Sequence, residues 1–288
     1  MVPQDKEHIL SDEFETGFLN SKDGTQLYYR ALQRYEADAT LVFVHGFGEH
    51  CGRYDHVQRW FHSQGYDVVA FDYRGHGNAQ GRRSYVERFR DYIDDLDCFI
   101  RFVLSRIGDE RRLYLVGHSH GGLIVSSYVL NQPEGIDGVV LSSPYFGLKV
   151  AVNPAKLALA KMMANIWPTL SLPTGLPPEH LSTDQEVGVT YANDPLVNTV
   201  ATARWFVEAT KRQQYVLKHA NELQLPILLL QAGDDRIADG EVSQAFLAAV
   251  GSTDKEAHWY EGMFHEIFNE TDKQQVFDDL HRWLQSHR

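Results

Sequence analysis

One pentapeptide in the sequence has the residue types and the spacing of a nucleophilic serine site. Residues 117–121 read Gly-His-Ser-His-Gly, which matches the pattern Gly-x-Ser-x-Gly. A continuous apolar run, 113–116, precedes it, and an apolar pattern of helical spacing begins at Leu123. A serine on a tight turn from strand to helix is held clear of the sheet, and the flanking glycines let neighbouring backbone approach it. The pattern therefore predicts that Ser119 is a nucleophile.

A serine hydroxyl needs a base that takes its proton and an acid that orients the base. The apolar run 227–230 leads into two adjacent acids, Asp234 and Asp235, either of which could orient a base. A second run typical of a strand, 256–260, leads into a loop that carries His265. The chain has 14 histidines, and we expect His265 to be the base because it lies on a loop after a late strand.

Acyl transfer also needs two N–H groups directed at the oxygen that gains negative charge. The residue after the nucleophile, His120, supplies one backbone N–H in this pattern. The loop after the early apolar run 41–44 reads His-Gly-Phe-Gly, and we assign the second backbone N–H to Phe47. These residues together indicate hydrolysis through an acyl-enzyme.

The elements that must position these loops alternate between strands and helices. Five short runs are apolar throughout, which is typical of parallel strands buried on both faces: 41–44, 68–71, 113–116, 139–141 and 227–230. Helical spacing of apolar residues appears over 92–104 and 276–284. The alternation predicts an α/β doubly wound sheet, entered by an antiparallel hairpin over 18–32.

Residues 145–219 interrupt this alternation. They contain helical patterns over 157–166 and 201–217 but no strong signal of a buried strand. About 75 residues between two core strands is too many for an ordinary loop. We therefore expect a helical cap over 145–219, inserted between two parts of one core, 1–144 and 220–288.

The cap contains an uncharged run, 162–178, that is rich in large apolar residues: Met162, Met163, Ile166, Trp167, Leu170 and Leu172. Exposed apolar patches of this kind often mark a binding surface. We expect the cap to form the entrance for an acyl chain and to make transient contact with lipid. The alternative is a cap that only packs on the core.

Composition and charge exclude several classes of protein. The chain has 27 Lys and Arg against 39 Asp and Glu, so its net charge of −12 should repel phosphate backbones, and we expect no nucleic-acid partner. Two cysteines, Cys51 and Cys98, cannot form a disulfide framework. The N-terminal residues lack the apolar core of a signal peptide, and no stretch is typical of a membrane span, so we expect a cytoplasmic protein.

Five motifs in order along the chain resemble the monoacylglycerol lipase and lysophospholipase branch of the α/β-hydrolases: 45–50 (His-Gly-Phe-Gly-Glu-His), 72–77 (Asp-Tyr-Arg-Gly-His-Gly), 117–122 (Gly-His-Ser-His-Gly-Gly), 193–196 (Asn-Asp-Pro-Leu) and 260–265 (Tyr-Glu-Gly-Met-Phe-His). The resemblance runs from about Phe14 to Trp283. It implies the α/β-hydrolase fold and selects Asp235 as the acid. It also implies a serine carboxylic-ester hydrolase that releases a fatty acid from monoacylglycerol or lysophospholipid, without an obligate protein partner.

The resemblance further implies residues that touch the substrate. Glu49, Arg53 and Tyr191 match polar residues of the family's alcohol-side pocket, although a surface acid, a salt-bridging Arg and a cap-packing Tyr are equally consistent with the sequence. Phe268 stands where close relatives carry a polar residue; it either faces the alcohol side with His265 or packs in the core. His120 replaces a residue that is usually apolar, which predicts a more polar wall on the acyl side.

Other functions remain open. A general carboxylesterase, a thioesterase or an aminopeptidase would use the same nucleophile. A non-catalytic binding module of this fold typically lacks a catalytic residue, and none is missing here. A metal hydrolase is disfavoured because residues 265–269 do not read His-Glu-x-x-His, and a dinucleotide site because residues 75–80 lack the third glycine. We expect no metal or other cofactor.

Overall fold

Buried apolar strands form the centre of the molecule. The computed structural model describes residues 13–34, 37–107, 111–149 and 154–287. The elements up to residue 142 are β1 (Glu15–Asn20), β2 (Gln26–Leu32), β3 (Ala39–Val44), α1 (Asp55–Ser63), β4 (Asp67–Asp72), α2 (Phe89–Leu104), β5 (Arg112–His118), α3 (His120–Val129) and β6 (Gly138–Ser142). Those that follow are α4 (Pro154–Ile166), β7 (Ser171–Pro173), α5 (Gln185–Asn193), β8 (Val200–Thr202), α6 (Ala203–Lys218), β9 (Ile227–Ala232), α7 (Gly240–Ala249), β10 (Lys255–Tyr260) and α8 (Lys273–Ser286).

Eight strands form one sheet in the order β1-β2-β4-β3-β5-β6-β9-β10. The pairs β1–β2 and β2–β4 are antiparallel, and the other neighbours are parallel. Every residue of β3, β4, β6 and β9 is buried, as expected for strands covered on both faces. Alternate side chains of β3 enter two separate hydrophobic clusters, Val42 in one and Phe43 in the other. The predicted α/β sheet and its entry hairpin are confirmed.

The sheet brings four loops to one edge, because the carboxyl ends of parallel strands point the same way. β3 ends at Val44, directly before the loop that contains Phe47, and β5 ends one residue before Ser119. β9 and β10 end shortly before Asp235 and His265. The fold thus assembles at one edge residues that are far apart in the sequence.

Residues 145–219, here called the cap segment, contain helices and a short ribbon. The predicted helical patterns lie in α4 and α6, except that residues 201–202 belong to β8 instead. β7 and β8 pair as an antiparallel ribbon, and α5 was not indicated by the apolar pattern. The ribbon escapes a search for buried strands because all three residues of β7 are exposed. Within the described ranges, no helix has both the length and the apolar character needed to cross a membrane.

Candidate active site

Ser119 lies on the turn between β5 and α3, in a backbone conformation that non-glycine residues rarely adopt, with φ 50° and ψ −117°. Such a conformation costs on the order of 1–3 kcal/mol. The glycines on either side permit close backbone contacts. A Cβ atom on Gly121 would lie 2.0 Å from the carbonyl oxygen of Val44, and one on Gly117 would lie 2.7 Å from the carbonyl oxygen of Gly121. The tight turn therefore requires glycine at both positions.

Three side chains form a continuous line of hydrogen bonds at this turn. Nε2 of His265 lies 2.9 Å from Oγ of Ser119, and Nδ1 lies 2.8 Å from Oδ2 of Asp235. A carboxylate only accepts, so Nδ1 of His265 donates and Nε2 is free to accept the serine proton. All three residues are buried. The structure thus brings together the three residues that the sequence predicts as nucleophile, base and acid.

The electrostatics of the pair suit proton transfer. Burial raises the pKa of Asp235, but the charge of His265 and its hydrogen bond to the carboxylate outweigh burial, so the pKa is lowered. Oδ1 of Asp235 also accepts bonds of 2.8 and 2.9 Å from the backbone N–H groups of Ile237 and Ala238. Burial lowers the pKa of His265, but the charge of Asp235 and its hydrogen bond outweigh burial, so the pKa is raised above its ordinary value. Asp234, the other acid that the sequence left open, is exposed.

The two residues assigned to the oxyanion hole, Phe47 and His120, line the same cavity as Ser119. The hydrogen bonds within the described part of the chain include none donated by the backbone N–H of either residue. Hydrogen bonds to Gly46 hold the loop before Phe47. The N–H of Gly46 donates to Oε1 of Glu49, and the carbonyl oxygen of Gly46 accepts from the Tyr73 hydroxyl and from Nδ1 of His45. Neither N–H group is therefore committed to another group of the described residues.

The imidazole of His120 does not make the acyl-side wall polar, which corrects the expectation from the sequence. The ring is completely buried, and each nitrogen has a partner within the protein. Nε2 lies 3.2 Å from the indole Nε1 of Trp205, and Nδ1 lies 3.2 Å from the hydroxyl of Tyr73. The polar atoms of the ring are thus occupied by aromatic neighbours rather than directed at a ligand.

Glu49 and Arg53, which the resemblance assigns to the substrate pocket, belong to a charged cluster with little exposure to solvent. Arg53 donates two hydrogen bonds to Glu266, at 2.6 and 2.7 Å, and one of 2.8 Å to Glu49. Burial raises the pKa of Glu49, whereas Arg53 overcomes burial at Glu266 and lowers its pKa to about 2. Glu49, Tyr191 and Glu266 line the cavity, while Arg53 lies behind them with its guanidinium carbon 4.9 Å from the centre of the Tyr191 ring. Sequence reasoning missed Glu266, although an acid beside the predicted base was a signal.

Phe268 lies in the core, and the structure does not bring it to the cavity. Its ring centre is 6.2 Å from that of Phe43 and 6.3 Å from that of Phe277. Phe268 does not face the same side as His265, because Glu266, at φ −91° and ψ 69°, departs from helical geometry between them. The sequence left two placements open for Phe268, and the structure shows that it packs in the core.

A cavity of about 520 Å³ opens over Ser119. The side formed by the core loops carries Ser119, His265, Glu49 and Glu266, whereas Tyr191 lines the cavity from the cap segment. The opposite side is formed by apolar residues of the cap segment: Leu148, Leu159, Ala160, Met163, Leu170, Leu172, Leu176 and Phe206. Apolar lining with a few convergent polar groups is typical of a small-molecule site.

The fold and the site define the class of protein. A mostly parallel sheet with a serine on a tight strand-to-helix turn, and an acid and a histidine on loops after later strands, is the arrangement of an α/β-hydrolase. The family model described as serine aminopeptidase, S33, matches residues 35–272, and the chain belongs to this family. It is therefore a serine hydrolase.

Similar proteins are found among curated sequences and solved structures. The phospholipase YtpA of Bacillus subtilis is 33% identical over 246 residues, which cover 83% of this chain and 92% of that protein. The monoacylglycerol lipase of Mycolicibacterium smegmatis is 32% identical over 253 residues, covering 86% and 88%. A soluble variant of monoglyceride lipase from Saccharomyces cerevisiae, in complex with a substrate analog, matches with a TM-score of 0.85 at 26% identity, covering 95% and 96%. The resemblance predicted from the five motifs is confirmed.

Proposed function

We propose that the protein hydrolyses the carboxylic ester between a long acyl chain and the glycerol unit of a monoacylglycerol or a lysophospholipid. The observation that carries the proposal is the line of hydrogen bonds from Asp235 through His265 to Ser119, which opens into an apolar cavity. The similarity to a phospholipase and to monoacylglycerol lipases supports this choice of substrate.

The proposed reaction has two halves. Oγ of Ser119 attacks the ester carbonyl while Nε2 of His265 takes its proton, and the N–H groups of Phe47 and His120 bind the oxyanion. The carbon–oxygen bond to the alcohol breaks, and His265 returns the proton to the leaving oxygen. A water molecule, deprotonated by His265, then attacks the acyl-enzyme. The bond between the acyl carbon and Oγ of Ser119 breaks, His265 gives the proton to Oγ, and the fatty acid is released. Asp235 stabilises the imidazolium in both halves.

The charged cluster favours an ester over a peptide as substrate. An aminopeptidase needs a carboxylate that is free to bind the α-ammonium group of its substrate. Glu49 and Glu266 line the cavity, but each is already paired with Arg53. The apolar wall of the cap segment instead suits an acyl chain.

Labelling and a substrate panel test the proposal. A fluorophosphonate probe should modify Ser119, as located by peptide mapping, and should not label Ser119→Ala. Monoacylglycerols, lysophospholipids, triacylglycerols, acyl-CoA and aminoacyl amides of matched size would then be compared by kcat/KM. Label on another residue, or a preference for aminoacyl amides or acyl-CoA, would contradict the proposal.

We also propose that the cap segment is the acyl entrance and contacts lipid. Leu159 and Leu172 line the cavity and yet are 51% and 61% exposed, so solvent reaches this apolar side of the cavity. Ile166 and Trp167, at 71% and 58%, add exposed apolar surface in the same part of the cap segment. Trp167→Asp should lower activity on micellar substrate more than on a short soluble ester. Equal losses on both would favour a cap that only packs on the core.

A further inference from the structure

Trp205, in the first turn of α6, contacts both residues that carry the proposed oxyanion N–H groups. Its ring stacks on that of Phe47, with ring centres 3.7 Å apart and 27° between the planes. Its indole Nε1 lies within hydrogen-bond distance of Nε2 of His120. The start of α6 is tied to the core, because Thr202 accepts a bond from the Trp205 N–H and donates one of 2.7 Å to the carbonyl of Ser84. A cap-segment residue is thus held firmly beside both donors.

The direction of each hydrogen bond in this cluster follows from the donors available. An indole N–H only donates, so Nε2 of His120 accepts and Nδ1 carries the ring proton. Nδ1 then donates to the hydroxyl oxygen of Tyr73, and the Tyr73 proton goes to the carbonyl oxygen of Gly46 at 2.7 Å. The assignment needs a neutral imidazole. Burial lowers the pKa of His120 well below its ordinary value, which is consistent with that requirement.

This line of bonds ends on the peptide unit that contains one oxyanion donor. The carbonyl of Gly46 and the N–H of Phe47 belong to the same planar unit, and the described residues contain no cis peptide bond. Fixing the carbonyl therefore fixes the direction of the N–H as well. A donor that is already oriented stabilises developing charge without the cost of turning toward it.

We propose that Trp205, His120 and Tyr73 are positioning residues whose hydrogen bonds hold the Gly46–Phe47 peptide so that the Phe47 N–H faces the oxyanion. The inference rests on the proposed function of Ser119 and extends it to a residue of the cap segment. Trp205 acts through the other two residues and is not itself a group that touches the reacting atoms.

Tyr92 offers a matched control within the same aromatic cluster. Its ring centre lies 5.1 Å from that of Tyr73 and 5.2 Å from that of His120, and the residue is completely buried. Its hydroxyl has no hydrogen-bond partner in the part of the chain that the structure describes. Tyr92→Phe and Tyr73→Phe therefore remove the same atom from the same packing environment, but only Tyr73→Phe breaks the line of bonds.

The test compares two kinds of ligand. An alkyl trifluoromethyl ketone forms a hemiketal oxyanion on the nucleophile, whereas a 1-O-alkylglycerol ether of equal chain length fills the cavity without a carbonyl. Removing an oxyanion donor costs roughly 10²–10³ in kcat, and misplacing one should cost less. We expect Tyr73→Phe and Trp205→Phe each to lower kcat and weaken ketone inhibition by about tenfold, with KM and ether inhibition changed less than twofold.

Two further results discriminate between outcomes. The double variant, Tyr73→Phe with Trp205→Phe, should have a kcat no lower than that of either single variant, because the bonds act as a unit. Tyr92→Phe and the exposed Trp259→Phe should have the kcat and the inhibition of the wild type. An equal loss of kcat in Tyr92→Phe and Tyr73→Phe would overturn the inference, and so would an equal weakening of inhibition by the ketone and by the ether. Either result would mean that these residues act only through packing. Wild type that is not labelled at Ser119 and hydrolyses no ester would overturn the proposed function itself.

Discussion

The two walls of the cavity are built by different forces. The wall formed by the core loops contains buried charges that are already paired, with Arg53 between Glu49 and Glu266. The wall formed by the cap segment contributes no Asp, Glu, Lys or Arg to the described lining, and two of its leucines are more than half exposed. One wall depends on hydrogen-bond geometry, and the other depends on apolar surface.

This difference separates chemistry from recognition. Proton transfer and oxyanion binding need polar atoms at fixed distances, which only a fully bonded environment supplies. An acyl chain needs apolar contact without a particular orientation, so its wall tolerates exposure and variation. Substitutions in the core wall should therefore change rate or stability, and those among the aliphatic residues of the cap wall should change selectivity. Trp205 is the exception in the cap segment, because its hydrogen bond to His120 ties it to the core wall.

The largest effect is expected at Asp235. Asp235→Asn should lower kcat by about 10⁴-fold, because an amide favours the wrong tautomer of His265 without disturbing the geometry. The control is Asp234→Asn, which changes an exposed neighbour and should stay within twofold of wild type. Steady-state kinetics on a soluble ester measures both. If Asp234→Asn proves the more damaging, the assignment of the acid is wrong.

Removal of Arg53 should be the most destabilising change in the core wall. Arg53→Met leaves Glu49 and Glu266 buried without their cation, and breaking a buried pair typically costs about 3–5 kcal/mol. Urea unfolding measures the loss in the free energy of unfolding. Arg53→Met combined with Glu49→Gln and Glu266→Gln should recover part of it. A loss of less than about 1 kcal/mol would mean that the cluster is not buried in solution.

A neutral histidine on the core loop before Phe47 should make stability depend on pH. Burial outweighs the hydrogen bond to Gly46 and lowers the pKa of His45 from 6.5 to about 3. Below pH 6.5 the unfolded chain binds a proton that the folded chain does not, so this contribution to stability falls as the pH falls toward 3. Between pH 7 and pH 5 the wild type should lose about 2 kcal/mol relative to His45→Asn. Parallel profiles for the two proteins in urea unfolding would contradict this.

The smallest effect is expected in the cap wall. Met163 lines the cavity from α4, and Met163→Trp would shorten the space for an acyl chain. We expect kcat/KM for long-chain esters to fall by about tenfold, equivalent to roughly 1.4 kcal/mol, with acetyl esters unaffected. Measured rates across a series of chain lengths test this. An equal loss of kcat/KM at every chain length would contradict the prediction and would mean that Met163 supports the chemical step.

Sequence patterns sufficed for the centre of the sheet because its buried parallel strands contain short apolar runs, 41–44 in β3, 113–116 in β5 and 227–230 in β9. Ser119 and His265 were predictable because each follows a recognisable strand. The strand before the acid left Asp234 and Asp235 both open, and the family resemblance selected Asp235. The partners of His120 were not, since Tyr73 and Trp205 are distant in sequence and only the packed structure brings them together. The place of Phe268 stayed open between the alcohol side and the core because spacing cannot reveal that one residue, Glu266, departs from helical geometry.

The strained backbone at Ser119 sets stability against activity at a single position. Glycine adopts a positive φ without the steric penalty that serine bears, so Ser119→Gly would relieve strain on the order of 1 kcal/mol or more. The same change removes the nucleophile. Selection for stability alone would therefore favour a residue that abolishes activity. Serine persists at position 119 only under selection for turnover.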